Sequence, residues 1–275
     1  MMGQNVKIAL VLTATVEVAV KGGNFTSAER FKMYTDTLRF YAKALGRTVP
    51  VYIVENSNAD IRQWSEEFRE SMDLHVVQYR PEDPLSYSGF DPSKGKGYNE
   101  YLMIKKLIGR LDDADVTHFM KITGRYAMLN VKSMLAEARR KILSRGYVFI
   151  GDVKDTNIYK LIGRKDTMSH AYGDSRFFVA NVKYWHENLS DCYLEMNDSI
   201  YGKWAEDYIF NLSRAHRNDG AFCFRFRTQV LFNGISGTLS SKDISNRSLQ
   251  GDSFRGRAKA AVRQLGRWLI PFVWF

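Results

Sequence analysis

The apolar run at residues 6–16 is the sequence feature that most constrains the fold. Apart from Lys7 and the threonines Thr13 and Thr15, the side chains are hydrophobic, and residues 8–12 lack the alternation that marks a half-exposed strand. A run of this kind is typical of a strand that is covered on both faces, as in a parallel sheet. Residues 6–16 are therefore predicted to form the first strand of such a sheet.

Helices and strands alternate through the rest of the first 150 residues. Thr26 and Glu29 have the spacing of a capping box, and apolar residues follow at helical spacing until Gly46. Further strands are predicted at 49–54, 74–79, 117–122 and 147–151, and further helices at 61–71, 98–111 and 132–145. The alternation predicts an α/β fold with a mostly parallel, Rossmann-like central sheet flanked by helices.

The second half of the chain is less regular. It begins with a polar stretch after Asp152, continues with an aromatic strand at 176–181, and then a helix that starts near Ser199. No repeat, low-complexity tract or linker separates the two halves. We therefore expect one domain over 1–250, with halves at 1–151 and 152–250, and a separate tail at 251–275.

Several protein classes are excluded by composition. Two cysteines without CxxC spacing are too few for a disulfide framework or a zinc site. The N-terminus lacks the pattern of a secretory signal, and no apolar stretch reaches the roughly 20 residues that span a bilayer. We therefore expect a protein of the cytosol. Its net charge of +10 makes an anionic partner plausible.

Polar residues follow several of the predicted strands, where the ligand of an open parallel sheet binds. They belong to the segments 55–60, 94–99 and 121–126. In the second segment, two lysines and two glycines precede a helix N-terminus, a combination that suits a phosphate. A plain strand-to-helix turn and a solvated surface loop are the alternatives for the first two segments.

These segments resemble those of GT-A-fold glycosyltransferases over most of residues 6–215. The resemblance rests on the turn Glu55-Asn56-Ser57-Asn58-Ala59-Asp60 and on the glycine-containing opening of a helix at 95–99. It implies a nucleotide-sugar donor that is bound by Thr13, Glu55, Asn56, Ser57, Lys94, Lys96, Lys121, Thr123 and Arg125. The stretch around Thr123-Gly124-Arg125-Tyr126 also resembles bacterial transferases of surface polysaccharides, of the capsule and O-antigen (lipopolysaccharide) type.

One departure from the family changes the predicted chemistry. GT-A enzymes usually carry an Asp-x-Asp metal motif where this chain has Thr123-Gly124-Arg125-Tyr126, and the Asp113-Ala114-Asp115 of this chain lies at the wrong end of its strand. A leaving nucleotide diphosphate gains negative charge that a metal ion or cations must neutralise. We therefore predict no metal site and no need for a divalent metal, with Arg125 assisted by Lys121 or by Lys94 and Lys96. An ion pair of Arg125 is the alternative.

The second half of the chain supplies the remaining predicted site residues. Asp207 resembles the catalytic base of inverting GT-A enzymes, with Glu206 orienting the acceptor or replacing it as base. Asp174, Ser175 and Arg176 are predicted to contact the acceptor. Acidic residues in a first helical turn are also common for their interaction with the helix dipole alone. The loop at 154–173 is expected to close over the donor.

The tail is predicted to be a basic amphipathic helix. After Asp252 it has no acidic residue and five basic ones, while Ala261, Val262, Leu265, Trp268 and Leu269 share one face. This pattern favours attachment to an anionic membrane surface through 255–275. Packing on the protein's own core is the alternative, and nucleic acid is not expected as a partner because the aromatic residues do not interleave with the basic ones.

Together these patterns predict an inverting glycosyltransferase of the hexosyltransferase type. It would move a sugar from a nucleotide sugar to a lipid-linked oligosaccharide at the cytoplasmic face of the inner (plasma) membrane, as a peripheral protein. The alternative is a non-catalytic membrane-surface protein that binds nucleotides or glycans. The absence of the Asp-x-Asp motif favours this alternative.

Overall fold

The structure is a computed structural model that describes residues 5–18, 25–154, 172–234 and 254–270 of the 275-residue chain. Its strands are β1 Ile8–Ala14, β2 Val51–Glu55, β3 Leu74–Gln78, β4 His118–Thr123, β5 Ala127–Met128, β6 Phe149–Ile150, β7 Val153–Lys154, β8 Tyr172–Gly173, β9 Phe177–Asn181, β10 Phe222–Cys223 and β11 Phe232–Asn233. Its α-helices are α1 Ser27–Leu45, α2 Arg62–Phe68, α3 Lys96–Asp113, α4 Val131–Arg145, α5 Val182–Tyr184, α6 Ala205–Ala215 and α7 Phe254–Leu269.

Seven strands form the central sheet in the order β10-β6-β9-β4-β1-β2-β3. Strands β3, β2, β1 and β4 are mutually parallel, and β9 runs antiparallel between β4 and β6. The predicted α/β fold with a mostly parallel sheet is therefore confirmed. This topology brings the carboxyl ends of β1, β2 and β4 to one edge, where the predicted donor residues lie.

Helices cover both faces of the sheet, which explains the continuous apolar run of β1. Leu10 and Leu12 pack on one face in a core with α1, α2 and α4, whereas Ala9 and Val11 pack on the other face in a core with α3, α5 and α6. All four side chains are fully buried. A strand buried on both faces has no polar side to show to water.

The second half departs from its predicted boundaries. The helix expected from near Ser199 begins only at Ala205, because the preceding residues form a turn in which the Asn197 amide donates to the Lys203 carbonyl at 2.7 Å. Gly202 in this turn has a positive φ of 80°. The loop predicted to close over the donor lies almost wholly outside the described residues.

Helix α7 contacts the domain through polar side chains. Arg267 is 3% exposed, and its guanidinium pairs with Asp152 at 2.8 Å and donates to the Phe226 carbonyl at 3.0 Å. Gln264 bonds with backbone groups of Arg227 and Gln229. Arg267, one of the five basic residues of the predicted tail, is therefore not available to a membrane surface. None of the described helices is long and apolar enough to cross a bilayer.

Candidate active site

The candidate site lies where β1 and β4 end side by side. The Gly124 amide, just after β4, donates to the Thr13 carbonyl of β1 at 2.8 Å. A Cβ atom at position 124 would lie 2.7 Å from that carbonyl oxygen, so only glycine allows the two strand ends to approach this closely. Thr13 and Thr123 are thereby held next to each other at the edge.

A buried ion pair lies beneath this edge. The Lys121 ammonium is fully buried and lies 2.9 Å from the Glu100 carboxylate of α3. The hydroxyls of Thr13 and Thr123 both donate to the same carboxylate. Burial raises the pKa of Glu100, but the Lys121 charge and these hydrogen bonds outweigh it, so that the pKa lies below its ordinary value.

The same lysine connects the sheet to α6. Lys121 donates to the Ser175 carbonyl at 2.6 Å, and the Ser175 hydroxyl donates to the Glu206 carboxylate at 2.7 Å. Glu206 is half-buried. Asp207, in contrast, accepts a hydrogen bond from the Trp204 amide at 3.1 Å and so caps the start of α6. Of the two predicted catalytic carboxylates, Glu206 is the one connected to the strand ends.

Three positively charged side chains, those of Arg30, Lys96 and Arg125, lie near one another at this edge. Arg30 and Arg125 line one small hollow with Tyr34. The pKa of Lys96 lies below its ordinary value because its surroundings partly desolvate the ammonium and because the charges of Arg125 and Arg30 repel it. An anion placed among these groups would relieve this repulsion.

None of these three cations has a carboxylate within salt-bridge distance in the part of the chain that the structure describes. Arg30 donates to the Thr15 carbonyl at 2.8 Å. Arg125 stacks over the Tyr126 ring at 5.0 Å and donates to its hydroxyl at 3.0 Å, while its buried Nε has no partner among these residues. Among the described residues, Arg125 therefore has no ion pair, which was the alternative to a role in binding the donor.

The predicted phosphate loop is partly occupied by a carboxylate of the protein itself. The Lys96 amide, first in α3, donates to the Asp198 carboxylate at 2.6 Å, and the Asp198 amide donates to the Lys94 carbonyl at 2.9 Å. Gly95 has a φ of 90° and leaves no room for a Cβ beside Asp198. The loop therefore contributes the Lys96 side chain to the site more readily than its first helical amide, whereas contact of Lys94 with a donor stays a prediction.

The turn after β2 is hydrogen-bonded to the residues that follow β1. Glu55 is fully buried and accepts hydrogen bonds from the amides of Val16 and Ser57 and from the Gln78 side chain at 2.8–3.0 Å. Burial raises the pKa of Glu55 above its ordinary value, although these bonds oppose the shift. Asn56 accepts from the Thr15 hydroxyl at 2.6 Å. Direct contact of Glu55, Asn56 or Ser57 with a nucleotide stays a prediction.

The predicted acceptor segment precedes β9. Arg176 pairs with Asp174 through two guanidinium nitrogens, at 2.8 and 2.5 Å, and lies 4.9 Å from the centre of the Phe232 ring. Ser175 lies between them and bonds to Glu206. This arrangement places Ser175 close to the candidate base, whereas acceptor contact by the three residues stays a prediction.

Sequence reasoning missed Arg30 and Glu100, although both left a signal. Arg30 lies four residues before Tyr34 on the apolar stripe of α1, and Glu100 lies four residues before Ile104 on the buried face of α3. A charge on such a stripe needs a partner or a ligand. Lys121, inside an apolar strand, likewise required the buried carboxylate that Glu100 provides.

The metal prediction is not decided by the structure. Among residues 5–18, 25–154, 172–234 and 254–270, no three His, Cys, Asp or Glu side chains cluster in a way that could hold a metal ion. Asp113 is the last residue of α3, and Asp115 lies in the turn that leads to the amino end of β4. They are therefore remote from the carboxyl edge where the cations lie.

Comparisons with known proteins give only distant structural similarity. No protein-family profile and no curated protein matches the sequence. Similar solved structures include the glycosyltransferase GlyE of Streptococcus pneumoniae TIGR4, at 10% identity and a TM-score of 0.44 over 80% of this chain and 45% of that one. A nucleotide-diphospho-sugar transferase from Desulfovibrio desulfuricans G20 gives 10% and 0.47 over 97% of both chains. A cytidylyltransferase from Leptospira borgpetersenii gives 12% and 0.45 over 98% of this chain and 99% of that one.

This chain thus spans less than half the length of GlyE. At these identities and TM-scores, similarity of chain path does not decide an activity. Fold and site together define an α/β protein with a cationic candidate site at the carboxyl edge of its sheet.

Glu100→Gln tests the buried ion pair. The substitution leaves the Lys121 charge buried without its partner, so we expect the free energy of unfolding to fall by about 3–5 kcal/mol at neutral pH. Because the pKa of Glu100 is lowered in the folded state, its contribution is complete above about pH 4.3 and is lost as the pH falls through the folded pKa. Urea unfolding of both proteins from pH 7 to pH 3 should therefore show a shrinking difference. Glu100→Gln combined with Lys121→Met is the control and should recover part of the loss.

Proposed function

We propose that the protein is an inverting, metal-independent glycosyltransferase that uses a nucleotide-sugar donor. The observation that carries the proposal is the group formed by Arg30, Lys96 and Arg125 at the carboxyl edge of the sheet. Three neighbouring cations without carboxylate partners in the described chain suit the two phosphates of such a donor. A hexosyl donor and a lipid-linked glycan acceptor of a cell-surface polysaccharide are the specific substrates proposed.

The cations supply the chemistry that a metal ion would otherwise supply. When the sugar–phosphate bond breaks, negative charge develops on the nucleotide diphosphate. Arg125 has the rigid planar fork that fits phosphate oxygens, and its Nε, which has no partner among the described residues, leaves donor capacity for a ligand. Arg30 is oriented by its bond to the Thr15 carbonyl. These groups would hold the leaving group without moving during the reaction.

Glu206 is the proposed catalytic base. An inverting transfer is a single displacement in which one carboxylate removes the proton of the acceptor hydroxyl. Glu206 is oriented by the Ser175 hydroxyl, which in turn belongs to the segment that Lys121 holds. Asp207, our base from the sequence alone, instead caps α6 through the Trp204 amide. The structure thus supports exchanging the roles of these two neighbours.

Helix α7 supports attachment to an anionic membrane surface. Its apolar side chains Val262, Leu265, Trp268 and Leu269 are 55–70% exposed, whereas its polar residues Gln264 and Arg267 contact the domain. An exposed apolar stripe on a docked helix suits the interface of a lipid bilayer. We place the protein at the cytoplasmic face of the inner membrane, where lipid-linked acceptors would be within reach.

Arg125→Gln tests the donor site, with the exposed Arg69→Gln as the charge-matched control. We expect Arg125→Gln to reduce hydrolysis or transfer of a nucleotide sugar on the order of 10²-fold, because one preorganised donor to the developing charge is lost. Thermal shifts with UDP, GDP and CMP sugars would identify the donor beforehand. EDTA should leave the wild-type rate unchanged.

Two results would contradict this assignment. One is loss of activity in EDTA that Mn²⁺ or Mg²⁺ restores. The other is an unchanged rate in Arg125→Gln. A folded protein that neither binds nor hydrolyses any of these donors would favour the non-catalytic alternative.

Glu206→Gln and Asp207→Asn distinguish the two candidate bases. The amide of Glu206→Gln can still accept from Ser175 but cannot remove a proton, so we expect kcat for transfer to fall by about 10²–10⁴-fold. Asp207→Asn keeps an oxygen to accept from the Trp204 amide and should retain most of the activity. The reverse outcome would return the base to Asp207. Circular dichroism melting would check that both variants are folded.

Leu265→Glu combined with Trp268→Glu tests membrane attachment. Each apolar side chain buried in the interface contributes about 1.5–3 kcal/mol, so we expect at least about tenfold weaker binding to vesicles of phosphatidylglycerol and phosphatidylethanolamine in a flotation assay. Leu143→Glu, at an exposed leucine of α4, is the control and should bind like the wild type. Unchanged flotation of the double variant would refute the role of α7. Donor hydrolysis should be the same in all three proteins.

A further inference from the structure

A groove on the surface of the second half is not used by the proposed donor site. It has a volume of about 380 Å³ and lies between the turn Cys192–Glu195 and α6. Its lining combines the aromatic rings of Trp204 and Tyr208 with the polar side chains of Glu195, Lys203 and Asn211. A groove of this size accommodates one to two sugar rings or a similar small ligand.

Two exposed aromatic rings lie at this groove, since Trp204 lines it and Tyr201 contacts Trp204. Tyr201 is 79% exposed and Trp204 is 41% exposed, and their rings meet edge to face at a centroid distance of 5.6 Å. Ile200 and Leu194 nearby are also exposed, at 44% and 63%. Large apolar groups clustered in water are unfavourable, and such clusters mark surfaces that bind a ligand. Perpendicular rings form an open corner against which a flat, partly apolar molecule can stack.

The polar side chains of the groove favour a particular class of ligand. Within the described residues, the Glu195 and Asn211 side chains make no hydrogen bond and no ion pair, and the Lys203 ammonium makes none either. Their hydrogen-bond acceptors and donors are therefore available to a ligand beside the rings of Trp204 and Tyr208. A pyranose ring matches this arrangement, because it presents an apolar C–H face to an aromatic ring and hydroxyls at its rim. A purely apolar partner would leave these polar groups buried without hydrogen bonds.

The groove adjoins the candidate active site. The Trp204 indole donates to the Asp198 carbonyl at 3.2 Å, and the carboxylate of Asp198 accepts from the Lys96 amide. Trp204 also lies at the start of α6, two residues before Glu206, whose carboxylate is bonded to Ser175. A molecule in the groove would thus lie beside Lys96, at the cationic edge.

We propose that this groove binds the glycan acceptor, with sugar rings stacked on Tyr201 and Trp204. The inference rests on the proposed glycosyltransferase function and adds to it the place where the glycan acceptor binds and the groups that recognise it: ring faces and hydroxyls. Glu195, Lys203 and Asn211 bind the hydroxyls.

The test measures oligosaccharide binding by the full chain and by its variants. An array of immobilised oligosaccharides, each with three to six hexose or N-acetylhexosamine units, is probed first, and saturation-transfer NMR with a bound sequence follows. We expect Tyr201→Ala and Trp204→Ala each to weaken binding about five- to tenfold, because a stacked ring is lost. Trp204→Phe keeps a stacking face and should stay within about threefold of the wild type. Leu85→Ala, at a leucine that is 89% exposed elsewhere, is the control.

The outcomes separate this inference from the proposed function. If the protein hydrolyses a nucleotide sugar but binds no oligosaccharide of the array, or if Tyr201→Ala and Trp204→Ala bind as the wild type does, the acceptor groove is wrong while the donor site stands. If oligosaccharide binding depends on both rings but no nucleotide sugar binds, the groove stands and the glycosyltransferase proposal fails. A dimer that Tyr201→Ala dissociates, without glycan binding, would assign the groove to a second copy of the chain and overturn the inference. Because Tyr201 lies at the surface and its side chain makes only a ring contact with the residues that the structure describes, Tyr201→Ala remains informative even where Trp204→Ala perturbs the start of α6.

Discussion

The buried ion pair between Lys121 and Glu100 is the interaction on which the candidate site depends. A fully buried ammonium is tolerated only beside a negative charge, so α3 must keep Glu100 against β4. The same ammonium holds the Ser175 carbonyl, and the Ser175 hydroxyl holds Glu206. One charge inside the sheet therefore sets the relative position of the strand ends, the segment before β9 and the proposed base on α6.

Near this ion pair lie two surfaces that a bound ligand would stabilise. At the carboxyl edge, the charges of Arg125 and Arg30 repel that of Lys96, and a diphosphate would offset that repulsion. Beside it, Tyr201 and Trp204 expose aromatic rings that a sugar face would cover. The two surfaces meet at Asp198, which caps α3 and accepts from the Trp204 indole. Their adjacency is the geometry that a transfer between a nucleotide sugar and a glycan requires.

Sequence patterns predicted the sheet better than the site. The apolar run of β1 and the capping box at Thr26 were sufficient to predict a buried strand and the helix after it. Glu206 and Asp207 could not be told apart, because adjacent residues of a helix point about 100° apart and the direction of each depends on where the helix starts. The structure starts α6 at Ala205, which turns Glu206 towards Ser175 and leaves Asp207 to cap the helix.

The order of residues along the chain was enough to predict the strands, the helices and the carboxyl edge where a ligand would bind. Hydrophobic periodicity and helix capping depend only on residues that are close in sequence. Which charged side chains pair across long distances in sequence was decided only by the tertiary structure. Arg267, which counts as a free basic residue in the sequence, is buried against Asp152, 115 residues away, whereas Arg30 and Arg125 come together without a carboxylate partner in the described chain. Whether a charge is buried, paired or left for a ligand depends on which segments the fold brings against it, and no local pattern contains that information.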